Sequence, residues 1–120
     1  MSAKEKTSAM GRPVPGLPVA DAERAQQHYR DVFGFEIGWL YPGKEIGSVS
    51  RGDAVIFFRK RNPPCEPAVH WVFAEDIDAT CRELQSLGAN IAEPLETKPW
   101  GLRQFTVRDL DGNLFHLHHG

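Results

Sequence analysis

Pro99-Trp100-Gly101-Leu102-Arg103-Gln104-Phe105-Thr106-Val107-Arg108-Asp109-Leu110-Asp111-Gly112-Asn113-Leu114-Phe115-His116-Leu117-His118 is the stretch on which the fold is decided. It reads as a hairpin. Arg103 to Val107 and Leu114 to His118 alternate side chains across a pleated strand, and Asp111-Gly112-Asn113 joins them. Asp-Gly and Gly-Asn pairs favour tight turns because glycine adopts positive φ without steric cost.

Upstream, the same unit appears twice. One helix starts at Asp21, whose side chain suits an N-cap, and Ala22, Ala25, Tyr29, Val32 and Phe33 share one face before Gly34 stops it. A second starts near Asp76, with Ile77, Cys81, Leu84 and Leu87 on one face and Gly88 at its end. An apolar run precedes each helix: Val14 to Ala20, and Ala68 to Ala74. Strand-like segments follow each: Phe35 to Tyr41, Glu45 to Ser50 and Ala54 to Lys60, then Asn90 to Glu93, Arg103 to Val107 and Leu114 to His118. This is βαβββ repeated at an offset of roughly 55–60 residues. Arg61-Asn62-Pro63-Pro64-Cys65-Glu66-Pro67 links the units, since its prolines exclude helix and central strand.

The expected fold is therefore α+β: two βαβββ modules, at about residues 13–60 and 68–119, forming a curved, barrel-like cleft with helices outside. Residues 13–120 make one domain behind a flexible tail, residues 1–12. Alternation assigns faces. Phe115 and Leu117 should pack under a helix, with Leu114, His116 and His118 toward the cleft. Trp71 and Phe73 should lie on the helix side, with His70 and Val72 toward the cleft. Ile56 and Phe58 should pack under the first helix, with Val55 and Phe57 toward the cleft. Pro15 and Pro18 put the pairing of the first strand in question.

Composition excludes several functions. Of the 120 residues 25% are charged, and the formal net charge is −2. No basic cluster exceeds Arg59-Lys60-Arg61, so a nucleic-acid partner is not expected. No segment reaches the length needed to span a membrane. Cys65 and Cys81 form no C-x-x-C pair and read as reduced thiols, and Met1 to Gly11 lacks an apolar signal-peptide core; both point to a cytoplasmic protein.

Two motifs resemble the vicinal oxygen chelate superfamily, which holds glyoxalase I, extradiol dioxygenases, fosfomycin-resistance enzymes and bleomycin-resistance proteins. One is Pro18-Val19-Ala20-Asp21 followed by His28-Tyr29-Arg30-Asp31-Val32-Phe33-Gly34-Phe35. The other is the pattern Pro-Trp-Gly-x-Arg-x-Phe-x-Val-x-Asp-x-x-Gly-Asn-x-x-His over 99–116. In the metalloenzymes of that superfamily four cleft positions supply ligands. The resemblance places them at Val14, Phe57, His70 and His116. Valine and phenylalanine cannot donate to a cation, and two imidazoles fall short of the three or four donors zinc takes.

The bleomycin-resistance branch fits this pattern better. Its members bind no metal of their own and sequester a drug, an antibiotic-resistance function, in clefts at a dimer interface. The resemblance thus implies a homodimer that binds a small aromatic or drug-like molecule without cofactor or metal, through His70, Trp100, His116, Phe57, Val14 and Trp39. The alternative is a metal-dependent glyoxalase- or dioxygenase-like enzyme with a divalent ion at His70 and His116. A third reading is a structural or regulatory partner with a vestigial cleft. Bleomycin-resistance proteins are strongly acidic and this chain is nearly neutral, which counts against bleomycin itself as ligand.

Overall fold

The computed structural model describes residues 8–62 and 65–120. Residues 1–7 of the expected tail, and Pro63 and Pro64 of the expected linker, lie outside the described residues. The elements run β1 (Gly16–Val19), α1 (Ala22–Phe33), β2 (Glu36–Leu40), β3 (Ile46–Arg51), β4 (Ala54–Lys60), β5 (Val69–Phe73), α2 (Ile77–Ser86), β6 (Asn90–Thr97), β7 (Arg103–Arg108) and β8 (Leu114–His119). The repeat read from the sequence is βαβββ twice, with matching topology. One sheet has the order β1-β4-β3-β2 and the other β5-β8-β7-β6. Within the chain the two sheets stay separate and do not close into a barrel.

Local chemistry sets the helix ends. Asp21 Oδ1 accepts from Arg24 N at 3.0 Å, and Asp76 Oδ1 accepts from Ala79 N at 3.0 Å, each satisfying an orphan amide of the first turn. Gly34, at φ +70°, ends α1 in the left-handed region. Each helix buries one face on its own sheet. Tyr29, Phe33, Ala22 and Ala25 pack with Leu17, Val19, Val49, Ile56 and Phe58, while Ile77, Cys81 and Leu84 pack with Phe105, Val107 and Phe115. The first strand does pair. β1 lies parallel to β4 at the sheet edge, where the missing amide of Pro18 costs no ladder bond, and Pro15 precedes the strand with its carbonyl accepting from Phe57 N at 3.0 Å.

The modules are joined by a polar node built on the β7–β8 turn. Tyr29 Oη donates to Asp109 Oδ2 at 2.7 Å. Asn113 Nδ2 donates to the Pro18 carbonyl at 3.0 Å, and Ala20 N donates to Asp111 Oδ1 at 2.8 Å. Burial and Asp109 push the Tyr29 phenol well above its usual range, so it stays a donor.

Tyr29→Phe keeps the ring packing and removes one hydrogen bond to a carboxylate. The expected loss is about 1.5–3 kcal/mol in denaturant unfolding; an unchanged midpoint would show that the node does not join the modules energetically. His28 sits beside the node, its pKa held below 6.5 by burial against the pull of Asp109, Asp111 and Asp31. The folded chain thus binds this proton less readily than the unfolded chain, and stability should fall as pH drops below 6.5 toward the folded-state value. Burial raises the pKa of Asp111 from 3.8, which acts in the opposite sense but at lower pH. Thermal melts through the histidine window should show a shallower slope for His28→Gln than for the parent chain.

Candidate functional site

Register fixes which side chains share a face. β5 pairs parallel with β8, with His70 opposite Phe115, Trp71 opposite His116, Val72 opposite Leu117 and Phe73 opposite His118. Phe115 is buried under α2, so His70 and Val72 lie on the helix side. Trp71 and Phe73 lie on the other side, with His116 and His118. This reverses the expected phase of β5. Both faces of that strand carry apolar residues, so polarity alone leaves the phase open. The two N-caps supply it: aligning Asp76 with Asp21 sets Val72 and Ala74 on the buried Leu17 and Val19.

The reversal separates the two histidines. His70 packs against Phe115, ring centroids 5.9 Å apart, and its Nε2 is buried without a partner. His116 stands on the open face, where the Trp71 ring lies 4.5 Å from its own. Side chains on opposite faces of one sheet cannot share an ion, so a His70–His116 metal pair is not formed. Among the described residues no cluster of three or more His, Cys, Asp or Glu could hold a metal.

A row of four side chains crosses the open face of the second sheet. Trp71 on β5 lies against His116 on β8. His116 Nδ1 is 2.7 Å from Thr106 Oγ1 on β7, and Thr106 Oγ1 donates to Glu93 Oε1 on β6 at 3.0 Å. The cross-strand partners explain the alignment: Thr106 pairs with His116 and Glu93 with Thr106. The sequence pattern reads Glu93 as a solvated charge and does not single out Thr106. The hairpin pattern alone places Thr106 beside His116; Glu93 requires the β6–β7 register, which an irregularity shifts.

Beside this row lie Phe73, His118, Gln104 and Trp100. The Phe73 and His118 rings are 5.9 Å apart. Trp100 rides on a turn closed by Gly101 N donating to the Lys98 carbonyl at 2.9 Å, and its Nε1 donates to Gln104 Oε1 at 3.0 Å. The indole is thus tethered next to the open face while 61% exposed. Lys98 Nζ lies 5.9 Å from the Trp100 ring and 2.6 Å from Glu96 Oε1, and that hydrogen bond raises the lysine pKa. Arg103 points elsewhere, forked onto Asp78 of α2 at 2.7 and 3.2 Å.

The remaining expected residues belong to the first module. Phe57 and Trp39 share the open face of the first sheet, centroids 5.2 Å apart. Val14 lines a broad groove of about 1230 Å³ with Val55, His70 and Trp71, beside the β5 edge. A smaller cavity of about 390 Å³ lies on the helix side between the modules, against Phe33, Ile56, Val72 and Leu84. His116 lines neither concavity. Among the described residues no ring contact links the Trp39–Phe57 pair to the Trp71–His116 pair.

The profile of the Glyoxalase/Bleomycin resistance protein/Dioxygenase superfamily matches residues 12–117. The structure is similar to that of TioX from Micromonospora sp. ML1, with a TM-score of 0.80 and 29% identity over 92% of this chain and 98% of that one. It is also similar to the bleomycin-binding protein of bleomycin-producing Streptomyces verticillus in complex with copper(II)-bleomycin, with a TM-score of 0.80 and 23% identity over 95% and 99% of the chains. A lactoylglutathione lyase from Agrobacterium tumefaciens shares the fold at a TM-score of 0.74 and 19% identity over 95% and 96%. No curated protein sequence matches the chain.

Proposed function

The chain belongs to the glyoxalase/bleomycin resistance protein/dioxygenase superfamily, and from that premise we propose that it sequesters a flat aromatic or drug-like molecule in metal-free clefts completed by a second copy. The observation that carries the reading is the open aromatic face of the second sheet. Trp71 is 52% exposed and Phe73 59%, flanked by Val69, His116, His118 and Trp100. Side chains of this size gain from burial, and a contiguous patch of them marks a binding surface. Rings stacked on such a face hold planar ligands through area and quadrupole.

Shape supports the second copy. Each of the two modules leaves one sheet face open, with Trp39 exposed on one and Trp71 and Phe73 on the other. A two-fold partner can set the Trp39–Phe57 face of one copy opposite the Trp71–His116 face of the other. Proteins of the same fold bind bleomycin and copper(II)-bleomycin. This chain's net charge of −2 suits a less cationic aromatic ligand.

The donor set does not fit the metal that the superfamily's enzymes carry. Val14 and Phe57 offer no donor, His70 faces the helix side, and His116 alone is not a site. On this reading the enzyme alternative would need donors beyond His70 and His116, whose side chains lie on opposite faces of the sheet.

Light scattering at micromolar concentration should give the mass of two chains, and elemental analysis of the untagged protein should give far less than one metal per chain. A monomer, or stoichiometric Zn, Ni, Mn or Fe, would overturn the corresponding half of the proposal. A thermal-shift panel of aromatic antibiotics should yield a stabilising compound. For that compound Trp71→Ala should weaken binding by about 1–3 kcal/mol, comparable to losing one stacking partner at the centre of a site. Equal binding by Trp71→Ala and the parent would remove the face from the site.

A further inference from the structure

The row Glu93–Thr106–His116 shares a single hydroxyl hydrogen between a carboxylate and an imidazole. The Thr106 hydroxyl has one hydrogen and faces two neighbours, Glu93 Oε1 at 3.0 Å and His116 Nδ1 at 2.7 Å. A carboxylate only accepts. Lys98 Nζ lies 3.8 Å from Glu93 Oε2 as its ion-pair partner. The hydroxyl hydrogen therefore goes to Glu93. Were it to point at His116 instead, two lone pairs would face each other at 3.0 Å with nothing between them. With its hydrogen committed, Thr106 Oγ1 can only accept from the imidazole. Nδ1 must then carry the ring hydrogen, and in the neutral ring Nε2 is left as a lone pair.

That lone pair faces the ligand side. The His116 side chain is 18% exposed, and among the described residues its Nε2 has no hydrogen-bond partner and is not one of the buried polar atoms left unpaired. It therefore reaches solvent, on a ring whose centroid lies 4.5 Å from that of Trp71. His118 on the same strand differs: its Nδ1 is buried and unpaired, so the relay is particular to His116. The groups around the relay are Glu93, Glu96 and Lys98 on the β6 side and His118 along β8; the Arg103 guanidinium is engaged by Asp78.

We propose that Glu93 and Thr106 hold His116 as a fixed hydrogen-bond acceptor, so that the face selects planar aromatic molecules bearing a hydroxyl or N–H donor over those in which the donor is capped. Glu93 and Thr106 are positioning residues; His116 Nε2 and Trp71 make the contact. The inference rests on the aromatic-cleft reading above and narrows it. A site whose buried acceptor stays unpaired penalises the analogue that lacks the donor.

Two measurements test it. Nitrogen-15 NMR of the free protein, at a pH where the rings are neutral, should show His116 with Nδ1 protonated and Nε2 bare. Glu93→Gln, whose amide can donate to Thr106, and Thr106→Val should each move the ring hydrogen toward Nε2. Finding Nε2 protonated in the parent chain would overturn the proposal with no ligand added. In the second measurement, 2-naphthol and 2-methoxynaphthalene are titrated and followed at the His116 and Trp71 resonances. 2-Naphthol should bind on the order of tenfold tighter, equivalent to about 1.4 kcal/mol, and both variants should bring the two affinities together. Equal affinities in the parent chain would overturn the donor preference and leave the aromatic cleft standing. If neither compound binds at these residues, the cleft reading fails and the preference with it.

Discussion

A single carboxylate holds the molecule together at its centre. Asp109 takes the Tyr29 hydroxyl at 2.7 Å and the Asn113 amide nitrogen at 3.0 Å on one oxygen. Its other oxygen takes the backbone amides of Asp111 at 2.8 Å and Asn113 at 2.9 Å. Asn113 then donates to the Pro18 carbonyl at 3.0 Å and accepts from Ala68 N at 2.8 Å. One turn thereby ties together α1, the end of β1, the entry to β5 and the β7–β8 hairpin. Asp109 and Asn113 are both buried, and such a cluster is stable only when every donor and acceptor is matched, as these are. The register of β5 on β8, and hence the meeting of Trp71 with His116, is anchored at this point.

This node also explains where the apolar surface goes. Joining the modules through turns and helix side chains leaves each sheet with one face on its own helix and one face open. The buried faces form a continuous core from Leu17 to Phe115. The open faces hold Trp39 and Phe57 in one module and Trp71 and Phe73 in the other. A chain that closed its two sheets on each other would bury these rings and have no site. Stability is carried on the helix side, and the opposite side is left exposed.

Much of this architecture is legible in the amino-acid sequence. The repeat, both N-caps, the glycine after α1, the span of β4 and the closing hairpin follow from spacing and turn chemistry. His116 falls on the face away from the helix, as alternation expects, with Trp100 beside it. The phase of β5 is not legible, because Val69-His70-Trp71-Val72-Phe73 is apolar on both sides and its one polar residue draws the cleft assignment to itself. His70 is instead packed on Phe115. Glu93 reads as a solvated strand charge for another reason. Long-range pairing across the irregular β6–β7 ladder fixes its neighbour, and no local pattern encodes that register. Asp111-Gly112-Asn113 reads as a plain turn, although its side chains bridge the modules. Local rules identify a turn but not what the turn will touch.

The repeat also shows how one scaffold position takes two roles. In the first module the strand row equivalent to Trp71–His116–Thr106–Glu93 reads Gly16, Phe57, Ser48, with Gly38 beside Ser48. Ser48 occupies the place of Thr106, but its hydroxyl accepts from Trp39 N at 3.1 Å and mends the irregular β2–β3 pairing. A Cβ at Gly38 would lie 2.2 Å from Ser48 Oγ, so a side chain there would displace the hydroxyl that accepts from Trp39 N, and glycine stands where the second module has Glu93. Phe57 replaces the imidazole and needs no hydrogen-bond partner. The first module therefore offers shape and area, and the second offers the same shape with an oriented acceptor. In the proposed dimer a cleft built from one face of each kind would meet a ligand with an apolar wall on one side and a directed polar contact on the other, which orients a planar molecule more firmly than two equivalent walls would.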